Sequence, residues 1–343
     1  MLNSLTKNIR TLTELDGASG DEGRVREAIL EMVKGHVSGW HVDALGNLIV
    51  EKKGQVPAKN TVMLAAHMDE VGFMITHIED HGMARFVTVG GIDPRALLGK
   101  RVRAGENQIP GVIGYKAIHL SKDKRDEIPE ITDLMIDIGA EDKEDAEKVI
   151  VPGDFAVFDS DYVEFGDGLI KAKGLDDRAG CAVLVEILKQ EWEYGLCCAF
   201  NVQEEVGCRG ARTSAFAVAP DYALVVESTT AADFPGIDES QQVCNLGRGP
   251  AISFMDRGTI YPKDMVALAF DTAKERGIAA QPKRAVAGGT DASAIHPSRA
   301  GVKTLTISMP CRYIHSQASV LKKADIEAAC KLVGALAQKL AAL

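Results

Sequence analysis

The stretch Leu196-Cys-Cys-Ala-Phe-Asn-Val-Gln-Glu-Glu-Val-Gly207 limits the fold of this 343-residue chain more than any other segment. It opens as a short, continuous apolar run, the pattern of a strand buried on both faces within an α/β sheet. It ends in two adjacent carboxylates, Glu204 and Glu205, followed by Gly207 and Gly210. A buried strand that delivers paired acids into a glycine turn puts charge where charge is costly, so the acids need a partner. The carboxyl end of a strand in such a sheet is also where ligands bind. Neighbouring side chains project differently, so one glutamate can bind a metal while the other handles protons. Taken alone, the pair fits a solvated acidic turn better than a site.

Other apolar runs end in the same manner. Thr61 to Ala66 leads directly into His67-Met-Asp69-Glu70, Asp221 to Val226 is followed by Glu227, and Thr304 to Met309 is followed shortly by His315. Asp176 and Asp177 stand before Arg178 to Leu188, a helix that is apolar on most sides. If the strands are neighbours in one sheet, all these groups converge on one edge. Two imidazoles with several carboxylates suit zinc, cobalt or manganese. A bridging carboxylate lets two metals sit roughly 3.5–4 Å apart, as in two-metal hydrolases. Each residue also has a plain reading: a polar strand end for the histidines, a helix N-cap for Asp176-Asp177, a strand-to-loop acid for Glu227. His36, His41, His77, His81 and His119 follow no comparable strand, and His296 before Pro297 reads as structural. The convergence outweighs its parts.

The rest of the chain frames this edge. Leu2, Leu5, Ile9 and Leu12 recur at helical spacing, as do Val25, Ile29, Met32 and Val33. Val42 to Val50 reads as a hairpin around Gly46-Asn47. From about Val71 to Asp167 short alternating segments sit between glycine and proline turns, the pattern of a small β domain. Within it, the charged stretch Ser121 to Lys148 reads as a solvated edge, with at most one helix near 141–149. Helix–strand alternation resumes at Gly174. The simplest account is an α/β domain, residues 1–70 plus 168–343, interrupted by an inserted β domain, residues 71–167.

Composition narrows the partners. The formal net charge of -10 argues against a nucleic-acid footprint. Seven cysteines, an odd number with no C-x-x-C pair and mostly in apolar runs, read as buried reduced thiols of a cytoplasmic protein. The first twenty residues lack the apolar core of a signal peptide, and no apolar run is long enough to span a bilayer. The expected partners therefore exclude nucleic acid and membrane.

Six motifs, in order, resemble the glutamyl aminopeptidase family, dinuclear metallo-aminopeptidases that include the tetrahedral aminopeptidases. They are His67-Met-Asp69-Glu70-Val-Gly-Phe, Gly174-Leu-Asp176-Asp177-Arg178, Glu204-Glu205-Val-Gly, Glu227-Ser-Thr-Thr-Ala-Ala-Asp233, Gly288-Gly-Thr-Asp291-Ala-Ser and Arg312-Tyr-Ile-His315-Ser. The resemblance implies a three-layer α/β/α mixed-sheet peptidase domain of zinc-peptidase type with an inserted small β-barrel. It implies two divalent ions per subunit, zinc, cobalt or manganese. His67 and Glu227 would hold one, Glu205 and His315 the other, with Asp176 bridging and Glu204 as general base. Asp69 would orient the His67 imidazole, a task that metal-bound histidines require in any case. Peptides with a free N-terminus are the implied substrates, and the barrel would make contacts of an oligomer, commonly a tetrahedral homododecamer. Glu227 stands where many relatives carry aspartate.

Three other readings compete. A deacylase or carboxypeptidase-type hydrolase would need a cation for a substrate carboxylate, with Arg178, Arg209 and Arg257 available. A glycosidase would need paired carboxylates roughly 5–5.5 Å apart in an aromatic-lined cleft, and this chain is only 5% aromatic. A non-catalytic binding protein would have no use for a complete ligand set and base. The side-chain preference of an aminopeptidase stays open at this level.

Overall fold

The computed structural model describes residues 1–117, 119 and 127–343. Residues 121–126 of the charged stretch lie outside them; its helix forms over Lys143–Glu147.

One eight-stranded mixed sheet organises the chain. Its order is Gly39–Val42, Leu48–Lys52, Leu196–Asn201, Val62–His67, Tyr222–Thr230, Lys303–Cys311, Ala251–Ile252 and Gln281–Pro282. The four central strands, Leu196–Asn201 to Lys303–Cys311, run parallel, with Asn201 opposite His67 and Glu227 opposite Ser308. Their carboxyl ends therefore share one edge. The expected hairpin is present, Val42 pairing with Leu48.

These central strands are buried along almost their whole length because both faces are covered. Leu175–Leu188 packs on the strands Val62–His67 and Tyr222–Thr230, flanked by Leu2–Glu14 and Lys323–Ala342. Every residue of Leu175–Leu188 is buried, which explains why its sequence shows no polar face. Arg209–Val218 and Ala292–Ile295 pack together against other strands of the sheet. The result is a three-layer α/β/α arrangement. Among the described residues, no helix is long and apolar enough to cross a membrane.

The β-rich middle of the chain closes into a six-stranded antiparallel barrel: Gly72–Ile78, Ala84–Val89, Met135–Asp137, Ile109–Gly114, Arg101–Ala104 and Phe155–Phe158. Alternation along Ala84–Val89 sends Ala84 and Phe86 inward and Arg85 outward. Phe73 is the centre of the barrel core, meeting Phe86 and Phe158 edge-on, each at 5.1 Å. The strand Val163–Phe165 does not join the barrel. It pairs with Leu169–Ala172, which pairs with Ser319–Lys322.

Candidate active site

His67 is the last residue of its strand and is 1% exposed. Its Nδ1 lies 3.0 Å from the Asp69 carbonyl oxygen and 3.4 Å from Asp69 Oδ1. An imidazole that donates through Nδ1 presents the Nε2 lone pair outward. That Nε2 lies 3.3 Å from Glu227 Oε1, 3.4 Å from Asp176 Oδ1 and 3.9 Å from Glu204 Oε2.

His315 mirrors this arrangement from the far side of Asp176. It sits in the turn after Lys303–Cys311, with a positive φ of 57°. Its Nδ1 lies 2.9 Å from the Gly91 carbonyl oxygen, so a loop of the barrel segment sets the ring's orientation. Its Nε2 lies 3.3 Å from Asp176 Oδ2 and 3.2 Å from Glu205 Oε1. Asp176 thus offers one oxygen to each histidine, and each histidine has a second carboxylate beside it.

Asp176 stands where it does because the first turn of Leu175–Leu188 is not helical: Asp176 and Asp177 have extended or bridging backbone angles. A buried network anchors this entrance. Lys173 donates to Glu70 Oε1 at 2.5 Å and to the Leu15 carbonyl, while Arg178 donates to the carbonyls of Leu12 and Gly17. Gly180 is needed just inside, since a Cβ there would stand 2.3 Å from Asp177 Oδ2. The Asp69 carboxylate accepts from Ser19 Oγ and from the backbone N–H groups of Glu204 and Glu205.

The buried carboxylates suit a cation. Burial pushes the carboxyls of Glu204 and Glu227 well above the usual range and Glu205 in the same direction. Asp176 moves the other way: burial opposes its ionisation, but the two imidazoles outweigh that. Asp176 Oδ1 and Glu205 Oε1 are buried with no hydrogen-bond partner among the described residues. Buried carboxylate oxygens left open beside two imidazoles are the donor set of a divalent metal. The residues fit the two-ion site.

All seven residues singled out in the sequence, His67, Asp69, Asp176, Glu204, Glu205, Glu227 and His315, come together at this sheet edge. One local expectation changes. Glu227 lies within the strand Tyr222–Thr230 and does not follow it, because parallel pairing with Lys303–Cys311 continues to Thr230. In the sequence Asp177 reads only as part of a helix N-cap. Its Oδ2 faces the His67 backbone N–H at 3.4 Å, and it belongs to a possible ligand group with His67 and Glu227. Nothing in a plain Asp-Asp pair distinguishes these two roles.

A cavity of about 390 Å³ opens over the cluster, lined among others by Asp176, Glu204, Glu205, Arg257, Lys283 and His315. Of the three arginines considered for carboxylate recognition, Arg178 is fully buried in the network just described. Arg209 lies at the surface, beside Gln203. Only Arg257 lines the cavity. Lys283, which the sequence did not single out, joins it there; its one signal was a position five residues before Gly288-Gly-Thr-Asp291.

A family model described as M42 glutamyl aminopeptidase matches residues 46–332. The glutamyl aminopeptidase of Lactococcus lactis subsp. cremoris is 34% identical over 333 residues, covering 94% of this chain and 92% of the relative. The solved aminopeptidase APDkam598 from the archaeon Desulfurococcus kamchatkensis has a TM-score of 0.94 at 37% identity, over 98% of this chain and 95% of that one. The TET1 peptidase of Pyrococcus horikoshii, which can assemble into a tetrahedron or a large octahedral shell, has a TM-score of 0.86 at 37% identity, over 97% and 99%. With sequence match, fold and donor set in agreement over nearly its whole length, this chain belongs to the M42 glutamyl aminopeptidase family and is a metal-dependent peptide hydrolase.

Proposed function

We propose that this chain removes the N-terminal residue of peptides using two metal ions and Glu204 as general base. The observation that carries this reading is the division of Asp176 between two histidines, Oδ1 at 3.4 Å from His67 and Oδ2 at 3.3 Å from His315. His67 and Glu227 would hold one ion, His315 and Glu205 the other, and Asp176 both. Such ions, when bound, supply Lewis acidity and lower the pKa of a water towards about 7. Asp69 fixes the His67 ring and the backbone of the glutamate pair. Glu204, made proton-avid by burial, takes the proton from the attacking water and passes it to the departing amine. The donor set accepts zinc, cobalt and manganese alike.

The cavity lining carries two cations, Lys283 and Arg257. Lys283 is 6% exposed, donates to the Ala287 carbonyl at 2.7 Å, and retains further N–H donors. Arg257 makes no ion pair among the described residues. With the carboxylates committed to metals, these two cations favour an acidic first residue. We also propose that the inserted domain, residues 71–167, makes contacts between copies in a tetrahedral homododecamer; the TET1 relative's shells support this. Seven free cysteines, mostly buried, support a cytoplasmic location.

The test combines substrates and one variant. Aminoacyl-p-nitroanilides should be cleaved and their N-acetylated forms should not, with activity lost on chelation and restored by cobalt or zinc. Glu204→Gln should lower turnover by about 10²–10⁴-fold with metal content unchanged. A variant that lost its metals would make Glu204 a ligand. Cleavage indifferent to chelation would sink the two-metal reading.

A further inference from the structure

A second constellation shares Glu204 with the seven residues and adds Cys208 and Asp291, which the peptidase mechanism leaves unused. Cys208 Sγ is 3.4 Å from Glu204 Oε1, and Ser293 Oγ donates to that sulfur at 3.6 Å. Asp291 is 1% exposed. Its Oδ2 accepts from Asn201 Nδ2 at 2.8 Å, and its Oδ1 is buried with no hydrogen-bond partner among the described residues. Asn201 cannot turn to satisfy both oxygens, because its own Oδ1 accepts from Ser214 Oγ at 2.8 Å. One donor atom each from Glu204, Cys208 and Asp291 lies within 4.8 Å of the other two.

That spacing suits a cation. Around a tetrahedral ion of zinc type, sulfur at about 2.3 Å and oxygens at about 2.0 Å stand roughly 3.3–3.5 Å apart. The three side chains therefore need only a small closure to form a tripod. Glu204 and Cys208 both line the cavity, so an ion reaches them from solvent. A thiol with two carboxylates selects soft or borderline ions over magnesium or calcium. Burial keeps the free thiol protonated, but a coordinating ion displaces the proton outright, and it leaves to solvent.

We propose that Glu204, Cys208 and Asp291 form a third cation site, specific for soft divalent ions such as cadmium or excess zinc, whose occupation inhibits the peptidase. The ion takes the carboxylate that would otherwise take the water's proton. Binding depends only on the three donors. The inhibition rests on the reading of Glu204 as general base.

The test uses the full-length enzyme loaded with its resident metals and titrated with cadmium. Two signals are followed, the ultraviolet thiolate-to-cadmium absorption and peptidase rate, with released resident metal measured in the filtrate. Cys208→Ser preserves size and removes the soft ligand; each rate is scaled to that variant's own uninhibited value. The wild-type band should saturate with one added ion while the rate falls in parallel and resident metal stays bound. Cys208→Ser should lack the band and need at least about tenfold more cadmium for half-inhibition. Equal sensitivity of the two proteins, or inhibition that tracks release of resident metal, would overturn the site. A saturating band with an unchanged rate would leave the binding intact and overturn the inhibition together with Glu204 as base. Failure of Glu204→Gln to abolish turnover would leave the band untouched, so the two readings fail separately.

Discussion

Asp69 Oδ1 accepts the backbone N–H of Glu204 at 3.0 Å, tying the end of one central strand to the turn that follows its neighbour. Its other oxygen accepts the Glu205 N–H at 3.1 Å and the Ser19 hydroxyl at 2.6 Å. Asp69, through its carboxylate and its backbone carbonyl, thus sets three things: the His67 ring, the position of the glutamate pair, and the loop after the first helix. Burial raises the cost of its charge, yet the His67 ring together with these donors holds its pKa below the usual value.

Asp69→Asn tests that arrangement. The amide keeps one acceptor oxygen and turns its NH2 towards donors, leaving at least one backbone N–H unpaired. Metal affinity should fall by about 10–100-fold, as when outer partners of metal-bound histidines are removed. Turnover should fall with it even at saturating metal, because Glu204 moves. Competition with a chromogenic chelator measures the first effect. Unchanged affinity and turnover would reduce Asp69 to a packing residue.

Much of this was legible in the chain. Four apolar runs that each end near a histidine or acid specify a parallel sheet and also one functional edge, since parallel strands bring like ends together. His67, Glu205 and His315 could be read because the burial signal and the polar residue were adjacent. The length of the Glu227 strand could not. Ser228, Thr229 and Thr230 look like a loop, and only pairing with Lys303–Cys311 keeps them in the sheet. Asp177, Lys283 and Asp291 were silent for a related reason: their surroundings come from segments distant in sequence. Arg178 looked like a free cation and is instead a buried anchor for three backbone carbonyls and Glu70.

Removing the metals should make stability depend on pH in a defined direction. Burial alone would lower the pKa of His315, but Asp176 and Glu205 outweigh it and push it up to about 11. A histidine raised from about 6.5 in the unfolded chain stabilises the fold fully below that pH. The contribution then fades as pH rises through the folded value. The metal-free protein should therefore lose stability between about pH 6.5 and 11, a loss that metal loading removes. Urea midpoints of both forms across that range supply the check. A metal-free midpoint that rose with pH would mean that the imidazole is not held as a cation by its two carboxylates.

Lys283 and Arg257 bear on which residue is cleaved. A side-chain carboxylate reaching Lys283 gains a charge-assisted hydrogen bond, about 1.5–3 kcal/mol, or roughly 10–150-fold in rate of capture. Burial lowers the pKa of Lys283, while nearby carboxylates such as Asp256 and Glu227 counteract it. Lys283→Met should reduce kcat/KM for a glutamyl substrate by about 10–100-fold and leave a leucyl substrate little changed. Arg257, at the exposed mouth, should show a smaller effect that weakens as salt is added, because exposed charges are screened. Parallel losses on both substrates in Lys283→Met would identify a structural lysine, held by the Ala287 carbonyl, and not a selector. Unaltered ratios in both variants would move the specificity determinant away from these two cations.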